Sequence, residues 1–169
     1  MLLNVEDLRM HLYLRRGILR AVDGISLYVN EGETLGLVGE SGSGKTMTGL
    51  SLMRLLPKGS GRIVSGSIKL DEREITTLSE QQLAKEIRGR RIAMIMQDPM
   101  TSLNPVFSIG DQVGTPLRNH GIANGATARS KVIDVLQRVR LPSPELRLGD
   151  YPHQFSGGQR QRIVAAMAI

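Results

Sequence analysis

Apolar residues occupy every second position in the first strand-like stretch of the chain, namely Leu8, Met10, Leu12 and Leu14. This period of two is typical of a strand with one face on a core. Residues 25–29 repeat the pattern before a turn at residues 30–33, and a third short strand fits residues 67–70. These stretches predict three strands that are each buried on one side.

Two further stretches, residues 34–38 (TLGLV) and 92–96 (IAMIM), are almost entirely apolar. Such runs indicate strands buried on both faces of a parallel sheet. A glycine-rich turn follows the first run and opens a helix over residues 45–56, which Pro57 ends. The order of strand, turn and helix predicts an α/β core.

Helical periodicity dominates the chain after Pro105. Ile109, Val113 and Leu117 recur every four residues, and residues 132–139 carry a second apolar stripe before Pro142. Residues 141–151 read as a loop. A closing helix begins near Gln159 with Ile163, Val164 and Met167 on one side, so we expect the chain to end inside an element.

Composition narrows the class of protein. The chain has 169 residues, of which 40% are hydrophobic and 22% charged, as in one ordinary soluble domain. It has no apolar run of about 18 residues and no basic leader, so we expect a cytoplasmic protein unless a partner holds it at a membrane. The absence of cysteine excludes disulfides and thiolate metal sites. The net charge of +6 comes largely from scattered arginines, and with 3% aromatic residues we expect no nucleic acid as primary ligand.

The glycine-rich turn GESGSGKT fits the phosphate-binding pattern G-x-x-x-x-G-K-[ST], in the expected place between a strand and a helix. Its residues are Gly39, Glu40, Ser41, Gly42, Ser43, Gly44, Lys45 and Thr46, and the following Met47 opens the helix. The glycines let backbone N–H groups surround phosphate oxygens, Lys45 supplies positive charge, and the Thr46 hydroxyl is a Mg²⁺ ligand. The alternative is a glycine-rich turn that binds nothing.

Three stretches carry a family resemblance. MIMQDPMTSLNP, residues 94–105, resembles the glutamine loop of ABC-transporter ATPases, in the wording of the peptide and nickel importer subfamily. YPHQFSGGQRQR, residues 151–162, resembles the ABC signature motif. The sequence AVDGISLYVNEGETLGLVGESGSGKT, which ends in the phosphate-binding turn (the P-loop), also resembles this family. The resemblance implies an α/β P-loop core of ABC type (residues 1–104, with an N-terminal antiparallel β-subdomain) and an inserted helical subdomain with the signature (residues 105–162).

The same resemblance implies the nucleotide site. Two ATPase subunits would sandwich ATP, with Ser156, Gly157, Gly158 and Gln159 of one facing the P-loop of the other. Gln97 would approach Mg²⁺ and the attacking water beside Lys45. Gln97 could instead be only a polar residue at a strand end. The following Pro99 and the missing acidic neighbour argue against Asp98 as a Mg²⁺ ligand. His153 lies beside the signature, but a loop histidine near a proline is more often a surface residue than a catalytic one.

Departures from the family pattern are also visible. At the strand position where the family stacks an aromatic on adenine, this chain has Leu12, with Tyr13 on the opposite face by strand alternation. Phe155 replaces the commoner leucine. The family continues with an acidic strand, a D-loop and a switch histidine that are absent here, so we expect an incomplete C-terminus and little turnover.

The resemblance implies an ATP-driven importer subunit for peptides or similar solutes. Its partners would be transmembrane permease subunits, a second ATP-binding subunit and, indirectly, an external solute-binding protein, which places it peripherally on the cytoplasmic face of the membrane. Two alternatives stay open at this point. A DNA-repair or chromosome-organising ABC ATPase usually has a long coiled coil between P-loop and signature, whereas Lys45 and Ser156 are 111 positions apart (156 minus 45) without heptads. The other is a non-catalytic nucleotide-binding module.

Overall fold

The structure is a computed structural model that describes residues 1–96 and 102–169. The chain divides into two compact units, Met1–Ile87 and Arg88–Ile169, and each is described by itself. The domain boundary expected near residue 104 stays a prediction.

The first unit is built on a four-stranded antiparallel sheet with the strand order β2-β1-β3-β4. The strands are β1 (Leu3–Leu14), β2 (Gly17–Val29), β3 (Gly61–Leu70) and β4 (Arg73–Glu74). All three strands expected from the alternating pattern are present, and each is longer than predicted. The antiparallel β-subdomain implied by the resemblance is confirmed.

Alternation in β1 buries Leu8 and Met10 completely, but Leu14, at the hairpin end, is 52% exposed. The strand is also bulged, because its register shifts between Glu6 and Arg9 where it pairs with β3. Gly66 of β3 lies against this bulge and has a φ of 98°. A Cβ added at Gly66 would lie 2.6 Å from the Asp7 carbonyl oxygen. Only glycine permits so close an approach of the two strands.

Glu74 ties β4 to β3 through its carboxylate. The carboxylate accepts hydrogen bonds from the hydroxyls of Ser67 and Thr76 and from the backbone N–H groups of Ile68 (3.1 Å) and Thr76 (3.0 Å). Burial raises the pKa of Glu74, but these hydrogen bonds outweigh it and hold the pKa below its ordinary value. The ionised carboxylate therefore stabilises this end of the sheet.

The two strands expected to be buried on both faces, residues 34–38 and 92–96, are not formed, and those predictions are wrong for this structure. Val38 is 94% exposed, and Leu35, Leu37, Ile95 and Met96 are all exposed as well. A buried strand requires hydrogen-bonded neighbours. Within the described part of the chain, the only such pairing in these segments is an isolated bridge from Ile92 to Arg88.

Helix α1 (Lys45–Leu52) begins where the sequence predicted but ends four residues earlier than expected. Arg54, at a φ of 50°, cannot continue a right-handed helix. The sequence analysis missed α2 (Glu80–Gln82), which runs into a π-helical turn at Leu83–Ile87. Ser79 and Gln82 form a reciprocal capping box at its start.

The second unit is helical, as expected after Pro105. Its helices are α3 (Ile109–Asn119), α4 (Gly125–Arg138), α5 (Pro144–Arg147) and α6 (Gly157–Ala166), with a 3₁₀ turn at Pro152–Gln154. The predicted stripes bury Ile109 and Val113 on α3 and Val132 and Leu136 on α4. The segment expected to be a loop, residues 141–151, contains α5. None of the helices described in either unit combines the length and apolar character needed to cross a membrane.

Candidate functional site

The phosphate-binding sequence forms a loop that leads directly into α1. Gly44 is the residue before the helix, at a φ of 90°. A Cβ added at Gly44 would lie 2.4 Å from the carbonyl oxygen of Ala21 in β2. Glycine at this position therefore permits both the left-handed backbone and the close contact between the loop and the sheet.

Lys45 folds back over its own loop. Its Nζ donates hydrogen bonds to the carbonyl oxygens of Gly39 (2.7 Å) and Glu40 (2.6 Å) and to Ser43 Oγ (3.2 Å). The ammonium group thus lies at the centre of the loop, bound to neutral acceptors. A phosphate oxygen is a stronger partner for this cation than a carbonyl oxygen, because its hydrogen bond is charge-assisted on both sides.

An open cleft of about 490 Å³ runs from this loop to the sheet. That volume falls in the usual range for a small-molecule site. The wall on the loop side is formed by Gly42, Ser43, Gly44, Lys45, Thr46, Met47 and Thr48, and the wall on the sheet side by Leu12, Leu19, Arg20, Ala21, Val22, Asp23 and Ile25. Six of the predicted nucleotide-binding residues are therefore brought together. Of the other three in the loop, Gly39 and Glu40 contact Lys45, and Ser41 is exposed.

Thr46 is the loop residue that the sequence predicts as a Mg²⁺ ligand. Its hydroxyl lies on the first turn of α1 in the wall of the cleft, is exposed, and makes no hydrogen bond to another described residue. Hydroxyl oxygen is a ligand type that Mg²⁺ accepts together with phosphate and water. Residues 1–96 and 102–169 contain no group of three or more His, Asp or Glu side chains that could hold a metal ion. Gln97, the other predicted Mg²⁺ contact, lies outside the described residues.

The signature sequence forms the start of α6 in the second unit. Ser156 is the N-cap, and its Oγ accepts from the Gln159 backbone N–H (3.3 Å) while Gln159 Oε1 accepts from the Ser156 N–H (3.0 Å). A Cβ added at Gly157 or Gly158 would meet no atom within 4 Å. The capping box orders this helix start and leaves its outer side unobstructed.

Packing beneath the signature fixes the position of α6. Phe155 is buried, with the Arg147 guanidinium 4.0 Å from its ring centroid, and Arg160 Nε donates to the Phe155 carbonyl oxygen at 3.0 Å. Ile163 and Val164 of α6 lie in the helical core, as their spacing predicted. The contact between Arg147, the last residue of α5, and Phe155 was missed, since no periodic pattern in the sequence pairs residues eight positions apart.

The structure also places two residues that the sequence left open. Leu12 lines the cleft, whereas Tyr13 is 42% exposed and lies against Arg62, whose guanidinium carbon is 5.4 Å from the ring centroid. His153 is exposed and stacks on Tyr151 with 6.0 Å between ring centroids, as the surface interpretation expected.

A family model and two individual relatives all match this chain to ABC transporter proteins. The family model described as ABC transporter matches residues 22–169. The chain is 47% identical over 169 residues to the probable peptide ABC transporter ATP-binding protein y4tR of Sinorhizobium fredii, covering 100% of this chain and 50% of that protein. It is 42% identical over 168 residues to the oligopeptide transport ATP-binding protein AppD of Bacillus subtilis, covering 99% and 51% respectively.

The fold agrees with that of a solved ABC cassette. The dimeric structure of MJ0796, a bacterial ABC transporter cassette, superposes with a TM-score of 0.79 at 26% identity, covering 99% of this chain and 68% of that one. The predicted ABC-type fold class is thereby confirmed. The chain spans about half the length of the curated relatives it matches. On the match to residues 22–169 and the identity to these relatives, the chain belongs to the ABC transporter family.

Proposed function

We propose that this chain is the nucleotide-binding part of a subunit that hydrolyses ATP to drive an ABC importer of peptides. The observation that carries the proposal is the cleft in which Lys45 and Thr46 lie together beneath a glycine loop. The names of the relatives, which describe peptide and oligopeptide transport ATP-binding proteins, support the solute class.

In this proposal, the loop holds the triphosphate of ATP. Backbone N–H groups of residues 39–44 and the start of α1 would bind phosphate oxygens. Lys45 would exchange its carbonyl partners for the β- and γ-phosphates, and Thr46 and Gln97 would hold Mg²⁺. The metal ion, when bound, neutralises charge that develops on the transferred phosphoryl group.

The signature would act on the nucleotide of a second subunit. Ser156, with the amides of Gly157 and Gly158 and the side chain of Gln159, begins a ten-residue helix whose outer side is unobstructed. A helix start of this kind attracts anions. The MJ0796 cassette is described as dimeric, which supports pairing of two ATP-binding subunits. In our proposal the pair is head-to-tail, and this helix start faces the γ-phosphate across the interface.

The remaining partners follow from the importer proposal. Transmembrane permease subunits would bind the chain at the cytoplasmic face of the membrane, and an external solute-binding protein would act on it only through them. We place the peptide specificity in those partners and not in this chain.

Co-purification tests the proposal. We would co-express the chain with the permease subunits of a peptide importer and, as the matched control, with those of an ABC importer for sugars. We expect retention in detergent by the peptide permease at least about tenfold above the control, which corresponds to about 1.4 kcal/mol of preference. Equal retention by both permeases, or by neither, contradicts the peptide importer proposal.

A further inference from the structure

The outer edge of β3 is open over more than half of the strand. On one side, β1 pairs with β3 from Gly61 to Leu70, but on the other side β4 pairs with it only at Lys69 and Leu70. Within residues 1–96 and 102–169, no strand or isolated bridge pairs with the outer side of residues 61–66. An edge of this kind presents backbone N–H and C=O groups to another extended segment.

The pairing with β4 stops where the Glu74 carboxylate reaches β3. Ile75 N–H donates to the Ile68 carbonyl oxygen at 2.8 Å, which is the last backbone hydrogen bond between the two segments in the described part of the chain. The Ile68 N–H then donates to Glu74 Oε1 (3.1 Å) in place of a backbone carbonyl. The chain after β4 therefore leaves residues 61–66 uncovered.

A groove of about 480 Å³, which we call the edge groove, follows this open edge. All six residues 61–66 line it. Because successive side chains of a strand point to opposite faces, six consecutive residues line one groove only through their backbone edge. The facing wall is formed by the turn at residues 56–59 and by Arg54, Thr76 and Glu80. Six strand residues extend for about 20 Å, so the groove follows the length of a short extended segment.

The lining of the edge groove is mainly positive. It carries the cations Arg54, Lys58 and Arg62 and one acidic side chain, Glu80, for a net charge of +2 (3 minus 1). Glu80 Oε1 lies 3.8 Å from Arg54 Nη2. Lys58 and Arg62 are exposed, and neither forms an ion pair with any residue in the described ranges. Charge complementarity therefore favours an acidic occupant.

We propose that the edge groove binds an extended acidic segment of a partner protein, which adds a strand to the outer edge of β3. Backbone hydrogen bonds to residues 61–66 hold the segment, as in other cases of strand addition. Its carboxylates pair with Lys58 and Arg62. A second copy of this chain is a poorer occupant, because it carries a net charge of +6 and would bring the same cations to the groove.

Titration with a designed peptide tests the proposal. The probe is a ten-residue peptide of alternating glutamate and threonine, blocked at both ends, and the control peptide has lysine in place of glutamate. We expect saturable binding of the glutamate peptide by the 169-residue chain, at least about tenfold tighter than binding of the lysine peptide. Hydrogen exchange should slow at amides within residues 61–66 when the glutamate peptide binds, since strand addition occupies the outward N–H groups.

Charge reversal in the groove separates this site from general attraction to a basic protein. Lys58→Glu and Arg62→Glu should each weaken binding of the glutamate peptide by about fivefold or more. Lys85→Glu is the matched control, because Lys85 is exposed, lies outside the edge groove and undergoes the same change of charge. Circular dichroism of each variant establishes that it is folded.

Four results would overturn the proposal. They are the absence of saturable binding by the folded parent chain, equal affinities for the two peptides, equal weakening by Lys58→Glu and Lys85→Glu, and binding without slowed exchange at residues 61–66. Exchange at residues 61–66 that slows with protein concentration in the absence of peptide, together with a dimer in sedimentation, assigns the edge to a second copy and also overturns it.

Discussion

Replacing Gly44 with alanine should separate two reasons for glycine in the phosphate loop. Gly42 and Gly44 both have left-handed backbones, with φ of 84° and 90°. A Cβ added at Gly42 would meet no atom within 4 Å, whereas one added at Gly44 would lie 2.4 Å from the Ala21 carbonyl oxygen. Gly42→Ala therefore measures backbone strain alone, and Gly44→Ala measures strain together with a steric clash.

The magnitude follows from these two contributions. A non-glycine residue in the left-handed region costs about 1–2 kcal/mol, and both variants share this cost. Contacts to a real Cβ essentially never fall below 3.0 Å, so the Gly44 and Ala21 backbones must separate by at least 0.6 Å (3.0 minus 2.4). The separation disturbs the Gly44 carbonyl, which accepts from Thr48 N–H (2.8 Å) and Thr48 Oγ1 (3.0 Å). We expect about 2 kcal/mol of further destabilisation, as in other overpacked sites.

Urea unfolding of the two variants beside the parent chain measures the difference. Gly44→Ala should lower the free energy of unfolding by about 2 kcal/mol more than Gly42→Ala does, with unchanged m-values. If the two variants agree within about 0.5 kcal/mol, the contact with Ala21 does not constrain the loop and the reasoning is refuted.

Three other changes test separate parts of the structure. Glu74→Gln should lower the free energy of unfolding at neutral pH, because the ionised carboxylate stabilises the folded chain. Folding lowers the pKa of Glu74, so this stabilisation is present above the unfolded pKa. The difference in unfolding free energy between parent chain and variant should therefore shrink as the pH falls through the folded pKa. A difference that stays constant down to pH 3 refutes this. Ile163→Ala, in the helical core, should lower the free energy of unfolding by about 2–5 kcal/mol. Val38→Ala, at a position that is 94% exposed, should change it by no more than about 0.5 kcal/mol. Similar urea midpoints for the two variants would contradict the difference in burial. Ser156→Ala removes the N-cap of α6 and should cost about 1 kcal/mol by thermal unfolding, so an unchanged Tm would show that the cap is dispensable.

Elements with one buried face were predictable because their patterns depend on local periodicity. The period of two around Leu8 and Met10 identified β1, and the four-residue spacing from Ile109 to Val113 identified α3. The phosphate loop was found for a similar reason, since its chemistry depends on a contiguous run of residues. The bulge at Asp7 was missed because it depends on how closely Gly66 approaches from another strand.

The predicted strands at residues 34–38 and 92–96 show the limit of this reasoning. An almost entirely apolar composition indicates that a segment favours burial, but it does not supply the neighbouring strands that would bury the segment. Val38 is exposed in this structure because the described residues provide no hydrogen-bonded partner for its segment. The position of Tyr13 was predicted correctly, since strand alternation alone decides which face it occupies.

Titration of the chain with Mg-ATP tests the central claim most directly, with Lys45→Ala as the variant and Lys58→Ala as the matched control. Lys58 is an exposed lysine outside the cleft, so its removal changes the net charge equally. We predict saturable binding by the parent chain and by Lys58→Ala, and a loss of at least about tenfold in affinity for Lys45→Ala, or about 1.4 kcal/mol. Equal affinities for the two variants, or no binding by the folded parent chain, would contradict the assignment of this cleft as a nucleotide site.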